Sequence, residues 1–263
     1  MTYRYLYTLY IIIGAGLFLS CNDTGKWNGI AFNKTSENIK VKSAELKKVP
    51  KDSFLAEEEM VFDVSVDVDF MEPKNQEDSL VCSNINRYII TQLLNQPDGI
   101  GQQEAVNGFI KKKKEDFKAD EYVVTCYDHL TGEAEYGLNG VINYTLHEDY
   151  YGGGAHPTQV VTIKRFRTAT GQPIDLWDIF ADSCSTSIKN MLTEKLIAQV
   201  GVKNLDELKE VGYLDMVDMF IPNNFWMYQD SLVFFFNQYD IAPYALGQTS
   251  LSFSYEELKP YMR

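Results

Sequence analysis

Between residues 60 and 70 every second position is apolar, with Phe62, Val64, Val66, Val68 and Phe70 alternating with Asp63, Ser65, Asp67 and Asp69. A period of two places these sets on opposite faces of a half-buried strand. Carboxylates two residues apart on one strand face are read here as a solvated face rather than as a catalytic pair. Beyond Asp78 the apolar spacing becomes helical. Val81, Ile85, Tyr88, Ile89 and Leu93 predict a helix to about residue 95, capped by Asp78 and ended by Pro97-Asp98-Gly99. Val106, Phe109, Ile110 and Phe117 predict a second helix over 103–118. Strands are expected over 122–128 and 135–148, turned at Leu130-Thr131-Gly132-Glu133, with Asn139-Gly140 marking a bulge or tight turn. From Thr158 a further strand alternates Val160, Thr162, Lys164 and Phe166 with Val161, Ile163, Arg165 and Arg167, and Ala169-Thr170-Gly171-Gln172 turns it back. Helices over 187–200 and 205–220 follow. After them come a hairpin of Phe225-Trp226-Met227-Tyr228 with 232–236, a loop over 240–247, a strand over 250–254 and a short closing helix over 255–261. Helices and strands mix without regular βαβ alternation, so the expected class is α+β with mainly antiparallel sheets.

The first twenty residues stand apart from this pattern. Arg4 supplies a positive start, residues 9–19 are almost wholly apolar, and Ser20-Cys21 closes the run. The run is too short to span a bilayer comfortably and fits a cleaved export signal. Leu17-Phe18-Leu19-Ser20 ahead of Cys21 resembles a bacterial lipobox, which makes Cys21 the expected site of acylation and the lipid its membrane anchor. Residues 21–54 are polar with little periodicity and are read as a tether. Removing residues 1–20 takes away Arg4 alone among the charges and moves the formal net charge from −13 to −14. So acidic a surface argues against nucleic acid and against anionic lipid as partners and favours a basic one. Cys82, Cys126 and Cys184 leave an odd number of thiols beyond Cys21, so at most one disulfide can join them.

Candidate chemistry concentrates in one stretch, Tyr150-Tyr151-Gly152-Gly153-Gly154-Ala155-His156-Pro157. Three glycines allow positive φ or close backbone approach, and Pro157 forces the preceding residue into extended geometry. His156 is the histidine with room for a ligand beside it. Its other reading is an imidazole that hydrogen-bonds backbone to hold the loop. His129, expected at a strand end, and His147, expected on a strand, carry no metal-ligand spacing with it. No nucleophile elbow, phosphate loop, dinucleotide fingerprint or deacetylase metal motif occurs, so no catalytic residue, metal or cofactor is expected. Lys111-Lys112-Lys113-Lys114 is read as a solvated helix face. If the glycine loop meets the loop of Tyr239 and Tyr244, the tyrosines form an aromatic shelf for a protein loop or sugar face. Alternatively they pack the junction between modules.

Gly152-Gly153-Gly154-Ala155-His156, Thr170-Gly171, Asp175-Leu176-Trp177-Asp178-Ile179-Phe180, Phe225-Trp226-Met227-Tyr228 and Tyr239-Asp240-Ile241-Ala242-Pro243-Tyr244-Ala245-Leu246-Gly247 together resemble the RsiV-like extracytoplasmic domain family. Residues 64–117, with Ile85-Asn86, resemble the accessory module found beside the catalytic domain of PdaC-type peptidoglycan deacetylases. With the signal over 1–20 and the tether over 21–54 set aside, the resemblance implies two intimately packed α+β modules, 55–150 and 151–263. The family's best-known member is a membrane-spanning anti-sigma factor whose outer part binds lysozyme. With only residues 1–20 ahead of Cys21, sigma regulation is not expected of this chain. The resemblance therefore implies a lipid-anchored envelope protein on the periplasmic side or cell surface that binds a lysozyme-like muramidase or peptidoglycan without catalysis. The expected contact residues are Tyr150, Tyr151, Gly153, Gly154, His156, Tyr239 and Tyr244. Two other readings stay open: an enzyme acting on cell-wall sugars or peptides through carboxylates in a cleft, and a structural part of an envelope assembly.

Overall fold

The computed structural model describes residues 30–42, 61–116 and 125–263. Its first sheet has five strands in the order β1 (Ile30–Lys42), β2 (Val61–Pro73), β3 (Thr125–Tyr136), β4 (Val141–Tyr151) and β5 (Thr158–Arg167). All neighbours are antiparallel except β2 and β3, whose parallel pairing needs the crossover through α1 (Ser79–Tyr88) and α2 (Gln102–Asp116). The alternation over 60–70 does what its period implies: Phe62, Val64, Val66, Val68 and Phe70 are all buried. They face Val81, Ile85 and Ile89 from the first helix and Val106, Phe109 and Ile110 from the second. On the other face of β2 the carboxylates meet polar partners on β1, with Lys40 3.1 Å from Asp63 and Ser36 donating to Asp67 at 2.7 Å. Asp69 accepts the Ala134 N–H at 3.0 Å.

A second core follows. It holds α3 (Leu176–Ile179), α4 (Ser185–Val200), α5 (Leu205–Glu210), the sheet β6 (Phe225–Met227), β7 (Ser231–Phe236) and β8 (Thr249–Ser254), and α6 (Tyr255–Leu258). Ile188, Leu192 and Leu196 of α4 bury against Phe234, Phe236 and Leu251. Both sheets are mainly antiparallel, and the fold is α+β.

Several local expectations give way to tertiary geometry. Residues 30–42 of the expected tether form β1, an edge strand that pairs along its whole length with β2. Residues 1–29 and 43–54, with the expected signal and Cys21, lie outside the described residues. The turn expected at 130–133 is uninterrupted strand, and the chain reverses at Gly137-Leu138-Asn139-Gly140, where Gly140 takes φ +89°. Gly132 is glycine for want of space, not to make a turn: a Cβ there would sit 2.9 Å from Val68 Cγ1 and against the Tyr144 hydroxyl. The helix expected over 205–220 stops at Glu210, because Gly212 at φ +99° and Leu214 at φ +55° cannot continue it. Asp78 has helical dihedrals and makes no side-chain cap bond. A division at 150/151 would separate β5 from the sheet it completes, although Val161 and Ile163 on it pack against Phe235 of β7. The three cysteines are free, Cys82 and Cys126 being buried and Cys184 half-buried.

The two cores meet at the outer edge of β5. Asn224 accepts the Ile163 N–H at 2.7 Å and donates to the Val161 carbonyl at 2.9 Å. Asn237 accepts the Val161 N–H at 2.7 Å and donates to the same carbonyl at 3.0 Å. Arg165, 1% exposed, aims its guanidinium into the junction. It donates to the carbonyls of Ile163 at 3.0 Å and Ile174 at 2.8 Å and to Asn223 Oδ1 at 2.9 Å, with its Cζ 3.6 Å from the Phe225 ring centroid. Burial lowers its pKa to about 10, and the Asp175 carboxylate offsets part of that.

Two substitutions test this frame by urea denaturation. Gly132→Ala should overpack β3 against Val68 and Tyr144 and lower stability by about 2 kcal/mol. Arg165→Lys keeps the charge but loses the planar fork, and should lower stability by about 3 kcal/mol with an unchanged denaturant slope.

Candidate functional site

The glycine loop leaves β4 at Tyr151. Gly153 takes φ +92°, a backbone conformation that favours glycine, and the Tyr151 hydroxyl donates to the Gly154 carbonyl at 3.1 Å. The loop then enters β5 through His156 and Pro157. The second loop leaves β7 at Asn237. Its backbone N–H is held by Asp240 Oδ2 at 2.7 Å, which lets Tyr239 sit at φ +70°. Burial raises the Asp240 pKa, with the Asn237 N–H pulling the other way.

The two loops meet at His156. Its ring stacks on Tyr244 with centroids 3.6 Å apart and 15° between planes. Nδ1 lies 3.1 Å from the Pro157 carbonyl and Nε2 lies 3.1 Å from the Tyr239 hydroxyl. A carbonyl can only accept, so in the neutral ring Nδ1 carries the proton and Nε2 accepts from Tyr239. Both nitrogens and one ring face are thus engaged within the protein, and His156 clamps the loops together. Tyr239 remains 58% exposed and forms the outer part of the shelf.

Tyr151, Gly154, His156, Tyr239 and Tyr244 are brought into this cluster, and Gly153 supplies the turn that allows it. Tyr150 is not. Adjacent strand residues face opposite sides, and Tyr150 lines a separate cleft with Phe62, Phe109, Lys113 and Asp128. One contributor was missed. Tyr127 pairs with Tyr151 across β3 and β4, its ring 6.0 Å from that of Tyr151 and 5.0 Å from that of His129. Desolvation and then the nearby Asp149 carboxylate raise its phenol pKa. The register would have found it, but the misplaced turn at 130–133 hid the register. His129 lies within β3, not at its end, and His147 is exposed on β4.

The basic run departs from a purely solvated face at one residue. Lys113 reaches back to Asp128 Oδ2 at 2.7 Å and Glu148 Oε1 at 2.6 Å. Burial opposes its charge, but the two carboxylates more than compensate and its pKa is raised. Asp128, 2% exposed, has its pKa raised by burial, which outweighs the Lys113 contact. Among the described residues no three His, Cys, Asp or Glu side chains gather as a metal group, and no helix is long and apolar enough to cross a membrane.

The architecture is that of an α+β protein with two sheets stitched along one strand edge and an aromatic loop cluster at the end of that strand. Residues 177–256 match the family model described as "Protein of unknown function (DUF3298)". That span contains β6 to β8, Tyr239 and Tyr244, whereas Tyr151 and His156 precede it. A DUF3298 family member from Bacteroides fragilis has a similar fold, with a TM-score of 0.70 and 19% identity over 90% of this chain and 95% of that one. A DUF3298 family protein from Pseudomonas aeruginosa is similar at a TM-score of 0.55 and 10% identity, over 89% of this chain and 95% of that one. These likenesses cover both sheets and concern the fold. No curated protein matches the chain.

If His156 is the clamp, His156→Ala should speed amide hydrogen exchange over residues 239–247 while leaving the β2–β3 core protected. The global loss should be about 1 kcal/mol, that of an aromatic stack and its hydrogen bond.

Proposed function

We propose that this chain is a lipid-anchored protein of the bacterial envelope, acylated at Cys21, that binds a macromolecular partner without catalysis through the shelf of His156, Tyr239 and Tyr244. The observation that carries this reading is the meeting of the two loops at His156, with the Tyr239 ring left mostly exposed on a rigid support. A rigid, exposed tyrosine loses little entropy on contact and offers both an apolar face and a hydroxyl, which suits a protein loop or a sugar face. The formal net charge of −13 favours a basic protein through long-range attraction. The resemblance to the RsiV-like family points in the same direction and names a lysozyme-like muramidase as the first partner to test, with peptidoglycan as the second.

The enzymatic reading has one observation in its favour: Asp128 and Glu148 lie close together and the first has a raised pKa. Lys113 stands between them, however, and binds both at ion-pair distance. A carboxylate pair that flanks a glycosidic bond needs that space for substrate or water. The arrangement therefore supports binding over hydrolysis.

The test is calorimetric titration of the chain from Asn22 onward with a c-type lysozyme, with residual muramidase activity read in parallel. Saturable binding that inhibits the enzyme and weakens about tenfold in Tyr239→Ala is expected, the loss typical of a central aromatic contact. Absence of saturable heat up to about 50 µM would remove lysozyme as the partner and pass the test to peptidoglycan fragments.

A further inference from the structure

The cleft that takes Tyr150 lies on the other face of the β4 end from the shelf, and it has a chemistry of its own. Its volume is about 550 Å³, within the range of small-molecule sites. Phe62, Leu94, Phe109 and Tyr150 give it apolar and aromatic walls, and Asp128 is among the residues that line it. The Asp128 carboxylate is 2% exposed, and only one of its oxygens is engaged: Oδ2 faces Lys113 at 2.7 Å, while Oδ1 has no hydrogen-bond partner among the described residues. A buried carboxylate oxygen without a donor is costly and uncommon, and it calls for a donor from elsewhere. The local charge says which kind. Among the described residues Asp128 and Glu148 share the single ammonium of Lys113, leaving one negative charge uncompensated, while Lys112 and Asp116 at the rim offset each other. The cleft thus lacks one cation with N–H donors and supplies apolar surface beside the place for it.

We propose that this cleft is a binding site for a small ammonium-bearing molecule with a flat apolar body, its ammonium donating to Asp128 Oδ1 and its body resting against Phe109 and Tyr150. A protonated amine satisfies the orphaned oxygen and completes the charge balance in one contact. An alcohol satisfies only the oxygen, and a carboxylate meets like charge. The site is independent of the shelf and does not rest on the proposed function. Tyr150 and Tyr151 point to opposite faces of one strand, so one face can be occupied without the other.

The test titrates the protein with phenethylamine, phenethyl alcohol and hydrocinnamate, followed by amide NMR spectra. Phenethylamine should saturate, shifting signals of α2, β3 and the end of β4, and should bind more tightly than the alcohol, with no binding of hydrocinnamate. Asp128→Asn, which keeps the shape and removes the charge, should weaken the amine about tenfold, the difference expected for losing a charged acceptor. Tyr150→Ser, at a position 42% exposed and outside the core, should weaken it several-fold and decides the matter if Asp128→Asn does not fold. The proposal is overturned if phenethylamine fails to saturate by about 10 mM, a weak limit for a ligand of this size. It is equally overturned if the alcohol binds as well as the amine, or if the folded variants bind like the unsubstituted protein.

Discussion

Arg165 carries a positive charge into the junction of the two cores without any carboxylate in ion-pair contact among the described residues. Its neighbours are carbonyl oxygens, an asparagine oxygen and the face of Phe225, so dipoles and a ring quadrupole replace the water it has lost. Such a charge is tolerable only where the acceptors are fixed in advance, and each acceptor belongs to a different segment. Ile163 is on β5, Ile174 follows the turn after β5, and Asn223 precedes β6. One guanidinium therefore fixes three segments at once. Removing it would leave several buried carbonyls without donors, which is why the junction cannot loosen gradually.

Asparagine completes what Arg165 begins. The outer edge of β5 would otherwise expose backbone groups to the second core, and strand edges are open to mispairing. Asn237 satisfies both backbone groups of Val161, while Asn224 takes the Ile163 N–H and shares the Val161 carbonyl. Asn143 pairs in the same two-bond manner with Met227, and Asn86 does so with Met71 at the end of β2. A side-chain amide has one donor side and one acceptor side, like a peptide group, so each asparagine acts as a one-residue strand. This gives the site its precision. Asn237 stands two residues before Tyr239 and bonds β5 at Val161, five residues after His156, so the edge contact that joins the cores also sets the two loops against each other.

These facts explain which parts of the fold could be read from sequence. The strand over 60–70, the α4 stripe and the 225–236 hairpin were legible because burial there follows a regular period on one face. β1 was not legible: an edge strand facing solvent has no reason to alternate apolar residues, and Asn33, Ser36 and Lys40 make it look like linker. Gly132 was taken for a turn residue because sequence cannot distinguish a glycine needed for positive φ from one needed for space beneath a Tyr144 ring. The roles of the asparagines at the junction leave no local pattern, since their partners lie about sixty to eighty-five residues away. The aromatic members of the shelf were nameable because glycine, proline and tyrosine are locally conspicuous. Their meeting depended on the junction and was not.

The divergence of Tyr150 and Tyr151 follows from the same geometry. β4 ends at the rim of the first sheet, so its last two side chains necessarily part, one toward the helices and one toward the second core. The helix side ends in Lys113, whose long stem packs over Phe109 and whose ammonium collects Asp128 and Glu148. The junction side ends in aromatic rings, Tyr239 hydrogen-bonded to His156 and Tyr244 stacked on it. One face is therefore charged, recessed and lined by aromatic walls, while the other is built of stacked rings and projects outward. The strand end thus presents two chemically different surfaces divided by a single backbone.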